Sequence, residues 1–386
     1  MVEYVGFFDI VIGIVSRFWP VWIALALVIV GVWRFKRKLG LFGYLFDDRI
    51  GAAGVLICFF WLFTAIFAGV IAPMDPRVQV SILKNAGPGA MDPETGMVFL
   101  LGGDHLARDV FSRAVYGAQI VLTIAPAATL IALLVGISLG LPAGYFGKRI
   151  DQVLSFLANL VLAFPVILLF YLLVTPGIME TGLPYVMAAV LFLFPIVFFC
   201  LLFYTRYKER PDKLYLYLAL TLIIGFWLYA GLVFNADPLG IVSIDPNELN
   251  IFVAVVFASS PGVFRIVRGL TMDIKTRDYI SAAQTRGEIA WYIMLWEILP
   301  NARGPLIVDT CLRIGYTTIL LGTLGFFGLG MGPESPDWGT AIKDGSQVAQ
   351  LRLYFWQGLV PAVSLMSLVL GLNLLADSMR EQSLKD

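Results

Sequence analysis

Charge is what this sequence has least of. Lys, Arg, Asp and Glu together make 14% of the 386 residues, 27 basic against 27 acidic, for a formal net charge of zero. A chain without excess positive charge cannot collect phosphates along a surface, so nucleic acid is excluded as a partner. Histidine occurs once, at His105, and a lone imidazole makes no zinc site without cysteine or carboxylate partners. His105 reads as a polar loop residue, with a proton relay as the lesser alternative. The three cysteines, Cys58, Cys200 and Cys311, each lie in an apolar run, which excludes a disulfide framework and a metal site. There is no Gly-x-x-x-x-Gly-Lys-Ser/Thr phosphate loop, so the chain is not expected to hydrolyse ATP. There is also no His-Glu-x-x-His and no intramembrane aspartate pair, so no catalytic residue is assigned and a membrane enzyme is disfavoured.

What is abundant is hydrocarbon: 59% of the residues are hydrophobic. Apolar runs of roughly 20 residues recur, each long enough to cross a bilayer as a helix, the one open-chain element that satisfies its own backbone in lipid. Nine spans are expected, at about 7–33, 50–72, 117–143, 152–175, 184–204, 214–234, 250–268, 304–325 and 355–377. The first has an acidic start and no small-residue cleavage site, so it reads as a retained helix and not a signal peptide. With the N-terminus outside, nineteen Lys and Arg fall on the cytoplasmic side, six fall outside, and Arg17 and Arg313 lie within spans. Basic residues favour cytoplasmic loops, which sets this orientation. Pro126, Pro142, Pro165, Pro195, Pro261 and Pro361 lie in or beside spans, where loss of a backbone donor predicts six kinks.

One polar stretch, residues 279–301, interrupts the oil on the cytoplasmic side and is long enough for two short helices. Ala282 and Ala283 favour helix and let another backbone come close. Gly287 suits the turn between helices. Trp291, Leu295 and Ile298 follow at helical spacing, and Leu299-Pro300-Asn301 ends the pattern. The two alanines, the glycine four residues on and the terminal Leu-Pro resemble the EAA loop of ABC importer permeases, with Ser281 where that family usually has glutamate. The resemblance implies a coupling role for Ala282, Ala283, Gly287, Leu299, Pro300 and Asn301 toward a partner ATPase.

Other segments agree in order. Gly102 to Arg113, with Asp104, Arg108 and Asp109 spaced for local ion pairs or a helix cap, resembles the segment before the second core helix of peptide/nickel-type permeases. Gly103 and Ala107 stand where that family has threonine and glycine, which puts a glycine-dependent turn at 107 in question. Gly144 to Asp151 reads as a tight cytoplasmic turn. Leu324 to Gly330 and Pro333 to Gly339 resemble the family's external gate loop, and Asn373 to Arg380 its closing pattern. Asp104, Arg108, Asp109, Pro333 and Trp338 are thereby candidates for an external gate or for contact with a binding protein. Asp309 and Arg313, four residues apart and so on one helical face, are costly at this depth and are candidates for the pore or substrate path, or for a neutralising pair.

The resemblance implies an all-α integral membrane protein with a six-helix ABC importer permease core and about three additional transmembrane helices. The expected parts are 1–49 (extra helix and basic linker), 50–175 (first half of the core), 176–249 (an insertion with two extra helices) and 250–386 (second half of the core). It further implies a homologous second permease subunit, two cytoplasmic ATPase subunits that bind ATP and Mg, an extracytoplasmic solute-binding protein, and residence in a bacterial or archaeal cytoplasmic membrane, in contact with membrane lipid. No cofactor is expected in this chain. Peptides, nickel, opines, glutathione and sugars are all carried by such families. An ion-coupled secondary transporter is the alternative, although Asp309 is its one acidic candidate and no internal repeat is visible.

Overall fold

Helices account for most of the described residues because most of the long segments are apolar and must close their own backbone hydrogen bonds. The computed structural model describes residues 2–36, 43, 45–179, 181–237, 239–240, 246–332 and 334–383. Pro333, one of the gate candidates, lies outside them. Among the described residues, seven helices are long and apolar enough to cross a membrane. They are α3 (Arg49–Ile66), α4 (Val110–Phe146), α7 (Leu183–Tyr207), α8 (Pro211–Phe234), α9 (Pro246–Ile274), α11 (Arg303–Phe326) and α13 (Trp356–Ser383).

The two remaining expected spans are broken. The first consists of α1 (Phe7–Arg17) and α2 (Trp19–Phe35), bent by 54° where Pro20 lacks a donor for the preceding turn. The fourth consists of α5 (Lys148–Ala163) and α6 (Val166–Val174), bent at a break where Phe164, held extended by the proline after it, precedes Pro165. Of the six prolines expected to kink spans, Pro165 stands at a break in the helix. Pro195, Pro261 and Pro361 sit inside continuous helices, as do Pro126 and Pro142 within the 37 residues of α4.

The chain divides into two compact units. The first comprises Met1–Pro126 and Cys311–Asp386. In it α3 packs along α13, and α2 lies against α3. Phe18, between α1 and α2, and Val21 of α2 are buried with Phe111 and Val115 of α4. A small antiparallel sheet joins β1 (Glu3–Tyr4), β2 (Ala90–Met91) and β3 (Val98–Phe99) in that order. Its pairing puts the N-terminal residues on the same membrane side as the 73–109 segment, as two intervening spans require.

The second unit is Ala127–Thr310. Here α9 is the central helix, packed by α5, α6 and α7. The C-terminal half of α4 approaches it closely through Gly136, Gly140 and Gly144. A Cβ at these positions would stand 2.5, 2.8 and 2.6 Å from Val263, Val267 and Thr271, so the backbones touch where a side chain would separate them. Gly144 thus belongs to a helix interface and not to the following turn, which is made by Gly147 and Lys148 at φ +63° and +49°. In the hairpin α7–α8, α7 packs against α9 and the 290–292 turn, and only Gly231 and Val233 of α8 are buried.

Candidate functional site

The 279–301 stretch folds as two short helical pieces on a greasy base. The first, α10 (Asp278–Thr285), ends in a double hydrogen bond. Gly287 N–H donates to the Gln284 carbonyl (2.9 Å) and Glu288 N–H to the Ala283 carbonyl (3.2 Å), the pattern that closes a helix when the residue after its cap is left-handed. Gly287 is that residue, at φ +80°, and a Cβ there would meet nothing within 4 Å. Glycine is needed for its backbone angle and not for want of room, and the space over it is open.

The second piece runs from Ala290–Tyr292 through a π-helical turn, Ile293–Ile298, to Leu299–Asn301. The wider turn ends just before Pro300, which has no N–H to continue the regular α ladder. Asn301 Nδ2 donates to the Glu297 carbonyl at 2.6 Å, and Arg286 reaches Glu297 at 3.1 Å, tying the two pieces together. Trp296 anchors the second piece to α7: its Nε1 donates to Thr205 Oγ1 (3.1 Å), and the Arg206 guanidinium lies 4.8 Å from its ring centre.

Burial divides the candidate coupling residues. Ala283 is fully buried, in a core shared by Ile280, Met294 and Ile298 of the segment with Leu141 of α4 and Val267 of α9. Leu299 is half-buried against the same core. Ala282, Gly287, Pro300 and Asn301 are exposed. Only these four offer surface to another protein; Ala283 and Leu299 fasten the segment to its own chain. Two further contacts fix the base. Lys275 Nζ donates to the Gly144 carbonyl at the end of α4 (2.7 Å), and Arg268 Nη2 donates to Asp151 Oδ2 of α5 (2.7 Å). Neither was singled out in the sequence, although Gly136-x-x-x-Gly140-x-x-x-Gly144 was a signal for the helix contact beneath.

The other candidate cluster belongs to the first unit and is buried. Asp104 Oδ1 accepts from the Leu106 and Arg108 N–H groups, both at 2.8 Å, and Arg108 Nε donates to Asp104 Oδ2 at 2.6 Å. Asp109 caps α4, accepting from Ser112 N–H (2.9 Å) and Ser112 Oγ (2.6 Å). Burial outweighs these bonds and pushes its carboxyl up to about 6. Asp337 caps α12 (Trp338–Gly345) through Thr340 N–H, and burial likewise raises its carboxyl. Trp338 is 1% exposed, stacked edge-on against Trp61. Ala107 stands at φ +63°, so the left-handed turn is kept without glycine. Asp104, Arg108, Asp109 and Trp338 therefore present no surface to a docked protein in this conformation. The cavity that Arg108, Arg113 and Gln357 line, about 20 Å³, has room for little more than one water molecule. The cluster clamps loop to helix.

Asp309 and Arg313 are half-buried on α11, and neither is without an interaction partner. Among the described residues there is no group of three metal-ligating side chains, and the three cysteines are free.

Known proteins agree with the sequence pattern. The sequence profile of the binding-protein-dependent transport system inner membrane component family matches residues 136–382, close to two thirds of the chain. Similar proteins include the di/tripeptide transport system permease protein DppC of Pseudomonas aeruginosa (strain UCBPP-PA14), 26% identical over 85% of both chains. The dipeptide transport system permease protein DppC of Alkalihalophilus pseudofirmus is 26% identical over 88% of this chain and 87% of its own. The glutathione transport system permease protein GsiD of Pectobacterium atrosepticum is 26% identical over 86% of each. Such matches leave no place for an ion-coupled secondary transporter. A multi-pass helical chain with this profile over most of its length belongs to the binding-protein-dependent transport system inner membrane component family, the permease subunits of ABC importers.

Proposed function

We propose that this chain moves peptides, or solutes of similar size, inward through a pore shared with a homologous second permease subunit. Two cytoplasmic ATPase subunits, binding ATP and Mg, would power it, and an extracytoplasmic solute-binding protein would deliver the cargo. The setting is the cytoplasmic membrane of a bacterium or archaeon. The peptide assignment rests on the relatives described above, which are di- or tripeptide or glutathione permeases.

One observation carries the coupling role: residues 279–301 present exposed Ala282, Gly287, Pro300 and Asn301 on a base locked into the second unit's core. A loop held so firmly moves as a body with α9 and α11 at its two ends. Closure of an ATPase dimer gripping that loop would tilt those helices and switch the bundle between inward-open and outward-open packings. Asp309 and Arg313, on α11, would then lie on the moving path.

The test is to tag the chain, solubilise gently and identify what co-purifies. Wild type should bring a second permease and ATPase subunits. Gly287→Trp, which puts an indole into the open space, should lose the ATPase and transport while still reaching the membrane. Gly287→Asn, which tolerates a left-handed angle with a small side chain, should retain most of both. A wild-type chain that emerges alone, or normal uptake by Gly287→Trp, overturns the proposal.

A further inference from the structure

We infer that the α7–α8 hairpin holds one anionic phospholipid, its acyl chain along the hairpin and its phosphate in a basic pocket at the turn. The inference needs the hairpin to cross the bilayer; it does not depend on the docking role of the 279–301 segment.

Two cavities on the hairpin adjoin. The first is an apolar groove of about 430 Å³, lined by Ile196, Phe199 and Phe203 of α7 and by Leu220, Ile224 and Leu228 of α8. Their spacing, three or four residues apart, makes one continuous row on each helix. From Tyr217 to Leu232 the groove follows α8 for about 22 Å, at 1.5 Å per residue, against about 15 Å for half a bilayer's hydrocarbon. One acyl chain fits that length. Within this chain α8 is almost wholly unburied, so a membrane-crossing hairpin would leave the groove open to lipid.

The second cavity, about 610 Å³, is polar and lies at the turn. Its lining includes Arg206, Lys208, Arg210 and Lys213 against two carboxylates, Glu209 and Glu288. Glu288 lies 3.9 Å from Arg286, whereas none of the four cations has a carboxylate within 4.0 Å among the described residues. Arg206 is engaged by the Trp296 ring, which leaves three cations wholly available. Tyr207 of this pocket stacks on Tyr217 of the groove with ring centres 4.9 Å apart, so the two cavities share a wall. A greasy slot that ends in uncompensated positive charge complements a molecule with an apolar tail and an anionic head, and juxtamembrane basic clusters attract such lipids. The opposite wall of the polar pocket is Gly287, Ile289 and Tyr292, so a bound phosphate would sit beside the proposed docking surface.

The test uses the full chain with its co-purifying subunits, stripped of lipid in detergent. Phosphatidylglycerol or phosphatidylcholine is added back, and retained lipid is counted by native mass spectrometry. Wild type should keep one phosphatidylglycerol and release phosphatidylcholine. The triple variant Lys208→Gln/Arg210→Gln/Lys213→Gln should bind it roughly 10-fold or more weakly, and the triple exchange Lys208→Arg/Lys213→Arg with Arg210→Lys should restore it. Gly225→Leu, whose side chain would enter the groove, should also weaken retention. Equal binding of the two lipids, or full retention by the charge-neutral variant, overturns the inference. So does a charge-neutral variant that keeps its lipid and loses a partner subunit, which would make the turn a protein contact.

Discussion

Trp338 Nε1 donates to the Ala114 carbonyl at 2.9 Å, joining residues 224 positions apart, and it can do so because residue 117 has no side chain. A Cβ on Gly117 would stand 2.3 Å from Trp338 Cδ1 and 2.9 Å from the Pro336 carbonyl. Neither a packed indole nor a backbone oxygen can yield cheaply. Gly117→Ala should therefore destabilise by about 1–3 kcal/mol, the usual cost of overpacking, read as a lower melting temperature in detergent. Gly269→Ala, where a Cβ meets nothing within 4 Å in a helix interior, should be neutral or slightly stabilising.

At Ala107 the chain holds an L-residue at φ +63°. That conformation crowds Cβ against the carbonyl that follows and costs roughly 1–2 kcal/mol. Ala107→Gly relieves the crowding but frees the unfolded chain, so the net gain should be about 1 kcal/mol. An unchanged or lower melting temperature would show that the buried Ala107 methyl contributes more than its strain costs.

Protonation of Asp109 gives a third test. Its folded carboxyl titrates near 6 because burial outweighs the N–H and O–H groups it accepts from, against about 3.9 unfolded. The folded state thus holds its proton more tightly. The contribution is full below about pH 4 and is lost as pH rises through about 6, by up to roughly 3 kcal/mol at 1.36 kcal/mol per unit. Asp109→Asn, which keeps an N-cap acceptor, should flatten the fall in melting temperature between pH 4.5 and 7. A variant that keeps the wild-type slope would assign that titration to another group.

Trp296 couples the hairpin to the 279–301 segment. Trp296→Phe removes the bond to Thr205, about 1 kcal/mol, and keeps a ring under Arg206. Trp296→Leu removes both, at about 2 kcal/mol. Hydrogen exchange across 205–213 should quicken in the order wild type, Phe, Leu. Equal exchange in all three would mean that the hairpin turn is held by other contacts.

The broad outcome was legible in the sequence because bilayer physics leaves few choices. A chain with long apolar runs and 14% charge must form helices, the open-chain element that satisfies its own backbone in lipid. The linear spacing of Ala282, Ala283, Gly287 and Leu299-Pro300 was enough to mark the polar segment, and Gly287 was rightly read as a turn residue, since a positive φ is a local property. Proline position was less informative: the same residue that breaks the chain at Phe164-Pro165 is absorbed inside α4, α7, α9 and α13.

What the sequence could not decide was which way side chains face once helices pack. Two adjacent alanines look alike in one dimension, yet Ala283 is enclosed by Ile280, Met294 and Val267 while Ala282 faces outward. Asp104, Arg108 and Asp109 read as spaced for local ion pairs or a helix cap, or else as an external gate or a contact for a binding protein. Tertiary structure turned them inward, where buried backbone N–H groups must find acceptors. The meeting of the Arg206–Lys213 turn with Gly287–Tyr292 joins residues some eighty positions apart. Composition, periodicity and local dihedral demand are properties of neighbours along the chain and so were written there. Burial and long-range charge placement belong to neighbours in space, and only packing within each unit assigned them.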